Sequence, residues 1–393
     1  MMARAPVSWS SKGEELGPCA VGAFNGLAFD SHQTWAFWRA EAVGVTESPF
    51  RCANGTRATM VSARTLSPRL HGAGRMKALL DGALEQLVPA LAALQARTPH
   101  ALWLGLPERY GERAAPGHLT ERRQLERHVK AWCDQHAGGG EVIPVARGHA
   151  SLAYALLEAC AELAAGRLEA AIVGGVDTYH APEVVEELLT RERLFDGKNL
   201  DSFTPGEGAA FLLLTRERTA KRAQLPLLAH VDAVGTGQEP GSMLVDSPCT
   251  GAGLAQAMRA AVLPLPTRGQ RLNWLLGDLT NETYRTTEFQ LALPRALAPG
   301  GLDSGGREYR PIAAEEVQMD FLPLRFGDLG AATLPTAMVI ASQAFIRGTP
   351  RVPGCLLVAS SVGQDRGAVL LTPVPAQGLS GVAATRRLAP PEG

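Results

Sequence analysis

No histidine lies beyond His230 in this chain of 393 residues; the nine stand at positions 32, 71, 100, 118, 128, 136, 149, 180 and 230. The C-terminal part therefore has no imidazole to offer to acid–base or metal chemistry. Net charge is −1 and no long basic run appears, which speaks against a nucleic-acid surface. No uncharged apolar segment reaches the length of a membrane-spanning helix, so no membrane insertion is expected. The first residues, MMARAPVSWSSKGEE, lack the apolar stretch of a signal peptide. The six cysteines, at 19, 52, 133, 160, 249 and 355, are scattered without metal-ligand spacing. No metal and no cofactor are expected, and a reducing cytoplasm fits best. Cys160 and Cys355 sit in apolar runs and read as small core residues.

What is present concentrates between Gly148 and Leu214. Ala150 to Ala165 reads as a helix of small apolar residues, with only Glu158 and Glu162 charged. A helix apolar on nearly every side is a buried one. His149 opens it, where backbone N–H groups point outward. Gly166 stops it, and Ala170 to Val173 reads as a short strand. Gly174 and Gly175 read as a tight turn straight after that strand. Gly327 to Gly348, GDLGAATLPTAMVIASQAFIRG, repeats the pattern: a polar start, a small-residue helix and a Gly stop. A strand, Cys355 to Ala359, again follows. Two such units imply two related halves.

The pattern resembles the β-ketoacyl-ACP synthases, condensing enzymes of the thiolase fold. In them a nucleophilic Cys opens the buried helix, and a GG pair and a GEGAA segment follow. Here Gly174-Gly175 follow His149 by 25 residues. Phe195-Asp196, Asp201-Ser202-Phe203 and Gly206-Glu207-Gly208-Ala209-Ala210 complete the likeness. It is strong over 148–214 and weaker over 22–372. It implies an α/β chain of the thiolase-like five-layer α-β-α-β-α architecture, built of two pseudo-symmetric halves. The implied division is 1–222 and 223–373, with a disordered tail over 374–393. It also implies dimerisation, as a homodimer or a heterodimer with a related subunit, by extension of the N-half sheet through the strand before the glycine pair.

The departures matter more than the matches. The nucleophile position holds His149, not Cys. The family's two catalytic histidines correspond to Asp278, in Leu276-Gly277-Asp278-Leu279-Thr280, and Asp328, in Gly327-Asp328-Leu329-Gly330. The C-terminal Gly-rich loop appears as Ser361 to Gly367, with Ser361 and Gly363 beside the pocket and Thr280 and Cys249 toward its entrance. A decarboxylating condensation needs a thiolate to carry the acyl group and neutral donors to stabilise the enolate and oxyanion. One oxyanion donor is worth about 2.7–4 kcal/mol. An ionised Asp donates nothing and puts negative charge where negative charge should develop.

The fold would bring His149, Asp278 and Asp328 into one pocket. Imidazole beside carboxylate makes a general base, a metal-ligand set or, most simply, a structural ion pair filling an abandoned pocket. Cys249 could be a relocated thiol, but no base adjoins it in sequence, and an ordinary loop cysteine is the simpler account. Gly206, Glu207 and Gly208 read as structural, Glu207 tying down loop N–H groups. His180 reads as a surface or interface residue, Trp35 and Trp38 as packing. Arg122, Arg123 and Arg127 form a basic face, either solvated or docking a carrier protein. The function expected is a noncatalytic partner, scaffold or accessory subunit. The other reading is altered acyl-thioester chemistry, such as hydrolysis or decarboxylation, through His149 with Asp278 and Asp328.

Overall fold

The structure is a computed structural model that describes residues 8–11, 15–52, 54–94, 100–112, 114–196, 198–265, 271–297, 312–348 and 352–375. In chain order its strands are β1 (Ser8–Ser10), β2 (Leu16–Asn25), β3 (Thr46–Arg51), β4 (Arg57–Met60), β5 (His100–Gly105), β6 (Glu141–Val145), β7 (Ala170–Thr178), β8 (Glu207–Arg216), β9 (His230–Gln238), β10 (Trp274–Gly277), β11 (Gln318–Phe321), β12 (Cys355–Ser360) and β13 (Asp365–Thr372). Its helices are α1 (Ser31–Arg39), α2 (Gly72–Leu84), α3 (Val88–Leu94), α4 (Pro116–His136), α5 (Ser151–Ala164), α6 (Pro182–Thr190), α7 (Glu217–Arg222), α8 (Ala252–Val262), α9 (Thr283–Leu297), α10 (Pro323–Phe326) and α11 (Thr333–Arg347).

Two sheets repeat one topology. The first runs β2-β8-β7-β5-β6 and the second β9-β13-β12-β10-β11, with β1 added beside β9. In both, the first two pairings are antiparallel and the last two parallel. This is the thiolase-like α-β-α-β-α architecture of two pseudo-symmetric halves.

Alternation along the strands builds the layers, because successive side chains point to opposite faces. In β7, Ala171 and Val173 face the central core, where α5 and α11 pack between the sheets. Ala170 and Ile172 face the outer layer under α2 and α4. In β12, Leu357 and Ala359 point inward, while Leu356 and Val358 pack under α8 and α9. Strands covered on both faces read as unbroken apolar runs, which is why β7 and β12 show no alternation of polarity.

Several expectations need correction. Gly174 and Gly175 form no turn; both lie inside β7, paired with Phe211 and Ala210 of β8. What they permit is close approach. A Cβ on Gly174 would stand 2.2 Å from the carbonyl oxygen of Ala210, and one on Gly175 2.3 Å from that of Ala331. Nor can β7 extend the sheet into a second chain, since β8 and β5 already occupy both its ladders. Among the described residues the edges of that sheet are β2 and β6. The helical stretch 72–94 is two helices, α2 and α3, joined by a 3-10 turn, Glu85–Leu87; Pro89 sits in the first turn of the second, where its missing N–H costs nothing. His180 is buried, not superficial: its Nε2 lies 3.1 Å from the Pro68 carbonyl oxygen and its ring stacks on His71. β1, from the N-terminal segment, joins the second half's sheet, so the division at 222/223 stays a proposal. The tail from 376 onward lies outside the described residues.

Candidate functional site

The site forms where the two halves meet. A 3-10 turn, Gly148–Ala150, leads into α5 and holds His149 at the junction. Gly148 has φ +56°, a left-handed conformation that admits glycine readily. Opposite stands Asp328, just before the 3-10 turn Gly330–Ala332 that leads into α11. The Gly206 segment positions it. Gly206 N–H donates to the Asp328 carbonyl at 2.8 Å, Asp328 N–H donates to Thr204 at 2.8 Å, and a Cβ on Gly206 would stand 2.3 Å from the Phe326 carbonyl.

His149 Nε2 lies 2.6 Å from Asp328 Oδ1, with both residues buried. The same oxygen accepts from Tyr179 Oη at 3.1 Å and from Gly330 N–H at 2.8 Å. Asp278, at the end of β10, accepts from Ser360 N–H at 2.7 Å. Between the two carboxylates stands Arg285, on the first turns of α9. Its Nη1 donates to Asp278 Oδ2 at 2.9 Å and to the Ser360 carbonyl at 2.6 Å. Its Nη2 lies 3.8 Å from Asp328 Oδ2 and 3.4 Å from His149 Nε2. Glu282 joins Arg285, at 3.5 Å, to Arg193, at 2.7 Å. Thr280 Oγ1 donates to Glu282 at 3.2 Å.

The charges set one another. Burial works against a charged His149, but the Asp328 carboxylate outweighs it and raises the imidazole's pKa. Burial would likewise raise Asp328; His149 and Arg285 overcome it and hold that carboxyl well below the ordinary range. Each partner thus favours the other's charged form across the 2.6 Å contact. Arg285 supplies the cation that a pair of carboxylates would otherwise draw from solution.

The backbone amides around the pocket are also taken. Ala150 N–H donates to Ser361 Oγ at 3.0 Å, and that hydroxyl donates to the Arg147 carbonyl. Gly363 N–H donates to Glu108 at 2.9 Å. Burial raises the Glu108 pKa, against the pull of His149 and Gly363 N–H.

The structure therefore brings together His149, Asp278, Asp328, Thr280, Ser361 and Gly363. Cys249 stands apart from them, with Glu239 and Glu288. Burial raises its thiol pKa, helped by Glu288 and Glu239, so it is no activated nucleophile. Glu207 holds Arg75 through two contacts, 2.5 and 2.7 Å, and accepts from Ala63 N–H at 2.6 Å. Gly208 lets β8 lie against Asn25 of β2, 3.1 Å from where its Cβ would be.

Sequence reasoning misses Arg285 and Glu108. Arg285 has a signal: two buried carboxylates demand a cation, and it is the one basic residue between Asp278 and Glu288. Glu108 has none, since it reaches Gly363 from a loop 255 residues away.

Comparison with known proteins agrees with the fold. A family model described as "Beta-ketoacyl synthase, N-terminal domain" matches residues 138–220. The ketosynthase from module 6 of the bacillaene synthase from Bacillus subtilis 168 superposes with a TM-score of 0.68 at 12% identity, over 92% of this chain and 72% of that one. The ishigamide ketosynthase/chain length factor gives 0.72 at 14% identity, over 92% and 99%. A type II PKS acyl-carrier protein in complex with its ketosynthase bound to the hexaketide gives 0.72 at 12%, again over 92% and 99%. No curated protein sequence matches. These likenesses define the class: a thiolase-fold chain. More narrowly, residues 138–220 are similar to the N-terminal domain of the β-ketoacyl synthases. Among the described residues no helix is long and apolar enough to cross a membrane.

Proposed function

We propose that this chain is a noncatalytic, ketosynthase-like subunit that works in the cytoplasm as a partner or scaffold for another protein. One observation carries the reading: the pocket is filled by a self-neutralising network, His149–Asp328–Arg285–Asp278, drawn from both halves and buried throughout. Condensation asks for a nucleophile and neutral donors. Here the nucleophile position is an imidazole, the donor positions are carboxyl groups, and two amides that could stabilise an oxyanion serve Ser361 and Glu108. A hydrolase or decarboxylase working through His149 would need a ring nitrogen free to accept a proton. Nε2 is engaged at 2.6 Å by Asp328, which ties the ring into the ion-pair network.

The partner role finds support in β6, a sheet edge whose residues are mostly half-buried. A cavity of about 1050 Å³ runs beside it, lined by Ile143, Val145, Arg147, Tyr154 and Asp365 among others. A related subunit, or a second copy, seated along β6 would cover both. Arg122 and Arg147 at this cavity are already paired, with Glu126 and Asp365; a carrier protein remains the lesser partner.

The test is an acyl-transfer and malonyl-decarboxylation assay. It compares the wild type, His149→Cys, and a triple variant that adds Asp278→His and Asp328→His. None is expected to condense acyl and malonyl thioesters. The single variant keeps two carboxylates facing the nascent enolate, and the triple strands Arg285. Condensation by the wild type would refute the noncatalytic reading. Light scattering addresses the partner: a lone species of 41.6 kDa, with nothing copurifying, would count against it.

A further inference from the structure

A second buried cluster lies outside the pocket just described. Glu239 ends the run of β9, Cys249 sits in the loop before α8, and Glu288 is on α9. Their ligating atoms all lie within 4.8 Å of one another. Glu239 is fully buried and held in place, accepting from Thr250 N–H at 3.0 Å through Oε1 and from Gly253 N–H at 3.0 Å through Oε2. Oε1 accepts as well from Thr250 Oγ1 at 2.9 Å, so it is Oε2 that keeps a further lone pair. Glu288, 1% exposed, gives Oε1 to Arg366 at 2.6 Å. Its other oxygen, Oε2, is buried without any hydrogen-bond partner. A buried carboxylate oxygen left bare is costly, and nothing in the ion pair explains it.

We propose that Glu239, Cys249 and Glu288 bind one divalent cation of borderline softness, of which zinc is the type, and that it staples the loop 242–250 to α9. The donor set argues the class. One thiolate and two carboxylates join soft and hard ligands, which suits zinc or cobalt better than calcium or magnesium. Three protein ligands leave a fourth position, and half-exposed Cys249 opens it to water. Charge agrees: a thiolate and two carboxylates carry three negative charges, Arg366 returns one, and a divalent cation neutralises the rest. Zinc bonds of about 2.0–2.3 Å place ligands about 3.3–3.8 Å apart, so the loop closes inward by about 1 Å on binding. The spacing of the cysteines gives no hint, because the three ligands come from three separate segments.

Cys249 makes the test direct, since the other five cysteines are buried and react slowly with a thiol reagent. The full chain, freed of metal by a chelator and kept reduced, is titrated with Co²⁺ and separately with Zn²⁺. Co²⁺ is expected to give a thiolate-to-cobalt charge-transfer band. Zn²⁺ is expected to slow labelling of Cys249, the most accessible thiol, by at least about tenfold. Cys249→Ser should abolish the band, and Glu288→Gln should weaken both effects while keeping a polar neighbour for Arg366. If Glu288→Gln fails to fold, Cys249→Ser decides alone, because its side chain is half-exposed and of similar size. An absent cobalt band with unslowed labelling in the wild type, or metal binding undiminished in Cys249→Ser, would overturn the site.

Discussion

Helices α5 and α11 start alike. Each follows a glycine of positive φ, Gly148 at +56° and Gly330 at +52°, and each is led in by a 3-10 turn. Each then packs in the central layer and returns through a strand, β7 or β12, that is buried on both faces. The side chains they carry are not alike. The middle residue of the first turn is His149 and that of the second is Ala331. Both carboxylates and the guanidinium come from the second half. The pseudo-symmetric backbone repeats, but Asp328 meets His149 across the junction, while Asp278 meets Arg285 within the second half. The lesson is that this fold supplies a geometry twice and leaves chemistry to a few positions around it.

The largest break in that comparison should come from Arg285→Met. It leaves Asp278 buried without its cation and Asp328 with His149 alone, and about 3–5 kcal/mol of stability should be lost. Urea unfolding would check it; a loss below about 1 kcal/mol would mean that the network does not hold the halves together.

The paired glycines sharpen the comparison next. Gly330→Ala forces a Cβ to 2.0 Å from Asp177 Oδ2 in a strained backbone, whereas Gly148→Ala meets only the Glu108 side chain, at 3.0 Å. Strain alone costs about 1–3 kcal/mol, so Gly148→Ala should stay within that range and Gly330→Ala exceed it. Equal unfolding midpoints for the two variants would refute the asymmetry.

A smaller effect is the pH slope. His149 has a folded pKa raised above its ordinary value of 6.5. Its pairing therefore stabilises fully below that value and is lost as pH rises through the folded pKa. Asp328, lowered from 3.8, works the other way: its contribution is present above that value and lost as acid approaches the folded pKa. Denaturation midpoints from pH 6 upward should fall more for the wild type than for His149→Gln. Parallel profiles would sink the pairing argument. The smallest change belongs to the exposed side of α5. Glu162→Gln removes an ion pair with Arg167 at the surface, and its midpoint should match the wild type's within error.

Much of the fold and part of the site are legible in the order of residues. The runs at 150–165 and 331–347 announce buried helices because burial on all sides leaves no polar face, and the same logic marks β7 and β12. The positions of His149, Asp278 and Asp328 follow from short motifs whose backbone is local. Glycine misleads at 174 and 175, since it both punctuates turns and permits close approach, and only the carbonyls of Ala210 and Ala331 reveal which applies. Strand order misleads too: an apolar strand shows that it is covered, not which neighbours cover it, so β7 passes for an edge.

By itself, then, the sequence determined the periodic elements, their apolar faces, the repeat and the absence of histidine beyond position 230. All of these are properties of residues close in the chain. Tertiary structure alone decided what surrounds His149. Arg285 meets Asp278 within one segment, but reaches His149 136 residues away, and Glu108 caps Gly363 across 255. Buried charges are stable only when paired, and that pairing is a matter of distances between segments that no local pattern encodes.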